Sequence, residues 1–288
     1  MSSFAGVLHK YNFNKVAFEF TPSALPNVLI VVGGMTDGLL TVPYVAKLPE
    51  VMEPLGYSVI NSQLTSSFNG WGVASLRTDV EEMKELVDYL RSEEGGSRKK
   101  IVIMGHSTGS QDVIHYLLTY GDSVQGGILQ ASVSDREAFG TEVPKKTLKD
   151  LTARAKKLCE AGSSSQLLPA EYSKYVFGTP ITAYRWCSLF ALGGDDDYFS
   201  SDLSIEQIKQ TFGRIDKPFL IAYSELDEFV PAPVDKAGLI RTRQSQSNPQ
   251  VWSKASGLIK GAGHNVAQHS SQLYLFDMIS QFFHEFNL

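Results

Sequence analysis

A chain of 288 residues with 43% apolar and 20% charged side chains has the makeup of a globular protein able to bury a central sheet, which excludes disordered and fibrous classes. The net charge is −5 and no basic cluster is longer than Arg98-Lys99-Lys100, so no face for nucleic acid is expected.

Residues 1–20 mix His9, Lys10, Asn12, Asn14 and Lys15 into every apolar stretch, so neither a secretory leader nor a membrane span is expected, and the cytoplasm is the expected compartment. Strands are expected where short apolar runs close on turn residues: 28–32 before Gly33-Gly34, 57–60 before Asn61, and 101–104 before Gly105. Further strands are expected at 127–130, 218–223 and, less apolar, 256–260. Runs apolar on consecutive residues suit strands buried on both faces of a parallel sheet. Helices are expected between them. Leu76, Val80, Met83, Leu86, Val87 and Leu90 recur at helical spacing, as do Val113, Ile114, Leu117 and Leu118, and later Leu273, Phe276, Ile279, Phe282 and Phe283.

Strand and helix therefore alternate from about Val28 to Ala131, the signature of a doubly wound sheet whose site lies at the carboxyl ends of its strands. The alternation then stops until Pro218, leaving helix-like stretches at 145–161 and 205–212. The expected organisation is a single domain, 1–288, carrying a helical cap insertion at about 133–213. Cys159 and Cys187 have neither metal-ligand nor redox spacing and are expected as reduced structural thiols.

Gly105-His106-Ser107-Thr108-Gly109 lies directly after an expected strand and directly before an expected helix, the setting in which Gly-x-Ser-x-Gly forms a sharp turn that lifts its serine above the sheet. Small neighbours let strand and helix close around the strained serine. The expected fold is therefore the α/β-hydrolase fold, a mostly parallel doubly wound sheet, with Ser107 as nucleophile. A serine hydroxyl needs a base, and in this fold the order is Ser, then Asp or Glu, then His. His9 and His106 precede Ser107, while His115 and His284 fall on helical patterns. His264, in Gly261-Ala262-Gly263-His264-Asn265, is the expected base, with His269 its competitor. Asp227 is the expected acid, weighed against Glu225 and Asp135.

Two backbone N–H groups must meet the developing oxyanion. The expected donors are Thr108, after the nucleophile, and Met35, in Gly33-Gly34-Met35-Thr36-Asp37-Gly38. Gly34, Asp37, Asp135 and Arg136 are the expected substrate-binding positions; Arg136 would meet an acidic substrate group or pair with its neighbours. Asp195-Asp196-Asp197 lacks the spacing of a calcium loop and is expected to cap a helix or form a solvated turn that could still face the pocket, so no metal and no cofactor are expected.

These segments resemble one family. Gly33 to Leu40, Gly105 to Asp112, Ser134 to Glu137 and Asp195 to Leu203 are similar to a eukaryotic α/β-hydrolase family of plants, fungi and protozoa that includes fungal esterases of fusarinine-type siderophores. The resemblance covers nearly the whole chain and implies Ser107, Asp227 and His264 as the triad, and a place for Asp135, Arg136 and the 195–197 turn in a shared site or scaffold. Ser132 departs from it, standing where the family usually carries Pro. The expected activity is hydrolysis of a small-molecule carboxylic ester or lactone, of the siderophore type if the resemblance holds for the substrate. The alternatives are acyl transfer to an alcohol and ligand binding without catalysis.

Overall fold

The computed structural model describes residues 3–288. Eight strands form one sheet in the order β1-β2-β4-β3-β5-β6-β7-β8. They are β1 (Gly6–Lys10), β2 (Val16–Phe20), β3 (Asn27–Val32), β4 (Tyr57–Gln63), β5 (Lys100–His106), β6 (Gly126–Gln130), β7 (Phe219–Ser224) and β8 (Gly257–Ile259). From β4 to β8 every pairing is parallel, while β1 and β2 form an antiparallel hairpin that adds to the β4 edge.

The central strands have the two-sided burial that their unbroken apolar runs foretell. In β3 and β5, Val28, Ile30, Ile101 and Ile103 enter one core, whereas Leu29, Val31, Val102 and Met104 enter the other. The first core is covered by α2 (Leu76–Arg91) and α3 (Gly109–Tyr120), the second by α1 (Leu48–Met52) and α10 (His269–Glu285). Ser75 caps α2 by accepting the Thr78 N–H at 3.1 Å. The β1–β2 hairpin had no sequence signal of this kind, since β1 is exposed along most of its length. Arg98, from the short basic run, is buried against Glu19 of β2 at 2.9 Å, and Glu19 also accepts from His9.

Between β6 and β7 the chain forms α4 (Asp135–Glu142), α5 (Lys145–Glu160), α6 (Ala170–Ser173), α7 (Ala183–Phe190) and α8 (Ile205–Thr211); α9 (Lys236–Gln246) follows β7. This insertion has a small core of its own, in which Leu151, Ala155, Tyr172, Trp186 and Phe190 pack together with Trp71. It is anchored to the sheet helices by charge. Arg185 of α7 reaches Asp196 at 2.7 Å and the Trp71 carbonyl at 2.9 Å, and Asp79 of α2, Asp112 of α3 and Asp135 of α4 are buried around the same guanidinium. The 195–197 turn is therefore not the solvated cap its sequence suggests: Asp196 is buried on Arg185, and Asp197 pairs with Arg136 at 3.1 Å.

Cys159 at the end of α5 and Cys187 in α7 are free thiols with sulfurs 3.9 Å apart. A mild thiol oxidant such as diamide is expected to join them, seen as the loss of two hydrogens in the intact mass. Closing a loop of this size is expected to raise the unfolding free energy of the insertion by about 3 kcal/mol. An oxidised protein that melts no higher than the reduced one would contradict this.

Candidate active site

The turn after β5 is built by close approach. A Cβ on Gly105 would lie 2.0 Å from the Gly109 carbonyl oxygen, and one on Gly109 would lie 2.6 Å from that of Val32. Both positions must be glycine for strand and helix to meet. Ser107 between them has φ 55°, a left-handed conformation that a serine holds only when its surroundings fix it. The Ser107 N–H donates to the Gln130 carbonyl at 3.0 Å, and the Ser110 hydroxyl donates to the same oxygen at 2.9 Å, which ties the turn to β6.

The structure brings Ser107, His264 and Asp227 into one hydrogen-bonded chain. Ser107 Oγ lies 2.8 Å from His264 Nε2, and His264 Nδ1 lies 3.0 and 2.9 Å from the two Asp227 oxygens. A carboxylate only accepts, so Nδ1 carries the proton and Nε2 is free to take one from serine. The rivals are elsewhere. Glu225 is exposed and accepts the Gly261 N–H at 2.8 Å, Asp135 accepts from Gln111, and His269 is the exposed first residue of α10. Glu228, which the sequence reading passed over, accepts the backbone N–H of His264 at 2.8 Å and fixes the loop that carries the imidazole. Its signal was a third acid in the same turn as Asp227.

Neither the Met35 nor the Thr108 N–H has a protein acceptor among the described residues, so both are free to meet an oxyanion. The Met35 loop is braced by Asp37, whose carboxylate accepts the Gly34 N–H at 2.8 Å and the Thr41 hydroxyl at 2.7 Å. Gly34 itself presses on the nucleophile: a Cβ there would stand 2.6 Å from Ser107 Cβ and 3.2 Å from Ser107 Oγ. Gly34→Ala is expected to lower kcat about 100-fold by displacing the serine or the loop, with a melting point close to wild type. An active Gly34→Ala variant would show that this contact can relax.

The pocket at Ser107 has a volume of about 270 Å³. Its apolar wall is Met35, Val133, Ala138, Phe139, Phe177 and Phe229, and Phe229 also stacks edge-on against His264 at 4.7 Å between ring centres. Val133, Asp135, Ala138, Phe139 and Phe177 all come from the insertion, which supplies one side of the pocket. His106 lines the pocket and is otherwise buried. Gln130 turns its NH₂ toward Ser224 Oγ, at 3.2 Å, and the His264 carbonyl, at 3.5 Å; its carbonyl oxygen accepts from Tyr44 OH at 2.9 Å and His106 Nδ1 at 2.6 Å. His106 Nε2 is therefore an unprotonated acceptor, 4.0 Å from Asp37 Oδ2. Burial first, then the nearby His264, push the His106 pKa down to about 4, so it stays neutral beside the base. Arg136, expected either to meet an acidic substrate group or to pair with its neighbours, does not line this pocket and pairs with Asp197 and Asp202.

The profile of the family described as "Protein of unknown function (DUF1749)" matches residues 1–284. The chain belongs to this family. A UPF0613 protein of Schizosaccharomyces pombe is 39% identical over 97% of this chain and 96% of its own. The fusarinine C esterase sidJ of Aspergillus fumigatus is 34% identical over 91% of this chain and 90% of its own. The solved structure of the siderophore hydrolase EstB from Aspergillus fumigatus has a TM-score of 0.83 at 30% identity, covering 99% of this chain and 98% of that one. The DUF1749 sheet seen here, parallel from β4 onward and flanked by helices, is the α/β-hydrolase fold. Among the described residues no helix is long and apolar enough to cross a membrane.

Proposed function

We propose that this chain is a serine esterase that cleaves a small-molecule carboxylic ester or lactone through an acyl-enzyme. The observation that carries the reading is the serine, imidazole and carboxylate chain at 2.8 Å and 2.9 Å, opening into the pocket of the DUF1749 fold. Ser107 Oγ attacks the ester carbonyl as His264 Nε2 takes its proton, and Asp227 holds the ring and balances the imidazolium. The carbonyl oxygen becomes an oxyanion and receives the N–H groups of Met35 and Thr108. The tetrahedral adduct then collapses, His264 returns the proton to the departing alkoxide, and the alcohol leaves an acyl-Ser107. Water, deprotonated by His264, attacks the acyl carbon and releases the acid, restoring the serine. The insertion acts as a cap whose Phe139 and Phe177 keep the acyl group from bulk water.

The names of the relatives supply the first substrate to assay, a siderophore ester of the fusarinine type. Purified protein is expected to hydrolyse it with steady turnover, and a fluorophosphonate probe is expected to label Ser107. Turnover retained in Ser107→Ala would sink the nucleophile assignment. A folded wild-type protein that neither labels nor cleaves any carboxylic ester would sink the esterase reading itself.

A further inference from the structure

The α4 helix has two faces in use. Asp135, Ala138 and Phe139, at helical spacing, line the Ser107 pocket, while Arg136 and Gly140 line a separate groove of about 470 Å³ between α4, α5 and the residues that end α7. The apolar lining of this groove is Leu148 and Ala153 of α5 with Phe190, Ala191 and Leu192, the last 66% exposed. Gly140 leaves it open. A Cβ there would meet nothing within 4 Å, and glycine inside a helix is less favourable than alanine, so α4 is weakened at the point where a side chain would fill the groove. The rim is basic. Lys145, Lys149 and Lys156 line the groove from one stripe of α5, no carboxylate partners their ammonium groups among the described residues, and no acid lines the groove with them. Arg136 is already held by Asp197 and Asp202. To these lysines α5 adds Lys146, Arg154 and Lys157, against Asp150 and Glu160 alone, in a chain whose net charge is −5. The cations are spread along the sequence, and the helix gathers them on one element.

We propose that this groove is a binding site for a single-chain amphiphile with an anionic head, a long-chain carboxylate. The tail covers Phe190, Ala191 and Leu192 and removes apolar surface from water. The head pairs with the lysines of the rim, of which Lys145 and Lys149 stand one helical turn apart and can share one carboxylate. Charge complementarity selects the sign, since a cationic head would meet lysines and no acid. Shape selects one chain over a membrane surface. The stripe of α5 that an interfacial helix would bury in lipid is already committed, because Leu151 and Ala155 enter the core of the insertion, and what stays open is concave. The groove is separate from the catalytic pocket yet touches its wall: Phe190 packs edge-on against Phe139 with ring centres 5.1 Å apart.

The test is equilibrium binding of dodecanoate below its micellar concentration, with dodecyltrimethylammonium as the cationic counterpart, and photolabelling by a diazirine-bearing dodecanoate located by peptide mass. The wild-type protein is expected to bind the carboxylate and not the ammonium, with the label on residues 140–156 and 190–192. Lys145→Glu with Lys149→Glu is expected to weaken binding about tenfold or more, the loss of two ion pairs near the surface. An acidic residue in the first turn of α5 suits the helix dipole, so this variant is expected to stay folded. Lys146→Glu with Lys157→Glu makes the same change of net charge away from the groove and is expected to cost less than about threefold. Gly140→Leu is expected to block binding by filling the groove. The comparison of the two head groups needs no variant, and equal affinity for them, or no binding of dodecanoate, overturns the proposal. So do equal losses from the two lysine pairs, a label confined to the Ser107 pocket, and binding seen only with micelles or anionic phospholipid vesicles.

Discussion

Asp227→Asn is expected to lower kcat by about 10⁴-fold at neutral pH with little change in melting temperature. The carboxylate now fixes the proton on His264 Nδ1, at 2.9 Å, so that Nε2 faces Ser107 as a lone pair. An asparagine amide can turn its NH₂ toward Nδ1, which makes Nδ1 the acceptor and leaves the proton on Nε2, where it blocks transfer from serine. The loss therefore lies in kcat more than in KM. Glu225→Gln, whose carboxylate accepts from Gly261, is expected to lose less than about tenfold in the same assay. If Asp227→Asn stayed active and Glu225→Gln did not, the acid would have been assigned to the wrong side of the turn.

Arg185→Met is the substitution expected to damage stability most. Arg185 is buried among Asp79, Asp112, Asp135 and Asp196 and pairs directly with Asp196 at 2.7 Å. Removing one partner of a buried pair costs about 3 to 5 kcal/mol, because the remaining carboxylate keeps its desolvation penalty and loses its counter-charge. The cost depends on pH in a definite sense. Burial holds Asp79 and Asp135 up at about 7, and Asp112 is held up too. The native state therefore keeps protons that the unfolded chain has released once the pH passes the ordinary carboxyl value of 3.8. Stability from Asp79 and Asp135 falls as the pH rises from there toward about 7 and levels off above it. Without the guanidinium their affinity for protons rises further, so the fall continues past neutrality. Urea unfolding of Arg185→Met is expected to show a larger deficit at alkaline than at mildly acidic pH, and a deficit under about 1 kcal/mol at both would contradict the ion-pair account.

Much of this architecture is legible in the chain because the central strands are buried on both faces. Such burial selects the continuous runs of β3, β5 and β7, which no exposed segment needs. The β1–β2 hairpin is illegible for the opposite reason. Gly6–Lys10 is an edge strand open to solvent, and β2 places the charged Glu19 inside, where His9 of the neighbouring strand and Arg98, distant in sequence, pair with it. The α9 helix has the same difficulty, since Ile240 and Arg243 are its only buried residues. The site divides along similar lines. Ser107 and His264 announce themselves by glycine-rich turns at strand ends, which are local features. The role of Arg136 depends on ion pairs with Asp197 and Asp202 that join segments sixty residues apart, and residue type alone gave Arg136 equal claim to the pocket and to the scaffold. Asp37 stands between: it lines the pocket as expected, but its carboxylate is occupied in bracing the loop of Gly34.

The turn after β7 and the loop after β8 are joined at every step. The Leu226 N–H donates to the Ala262 carbonyl at 2.8 Å, Glu225 accepts from Gly261, Glu228 accepts from the backbone of His264, and Asp227 accepts from its ring. Asp227 and His264 are thus parts of one joint whose halves are separated by more than thirty residues of chain, with α9 lying between them. Recombination between relatives that cuts inside that interval would pair one parent's turn with the other parent's loop. Chimeras of this family should therefore tolerate crossovers ahead of β7 or beyond residue 265 far better than crossovers within α9, whose Lys236 itself donates to the Glu225 and Asp227 carbonyls.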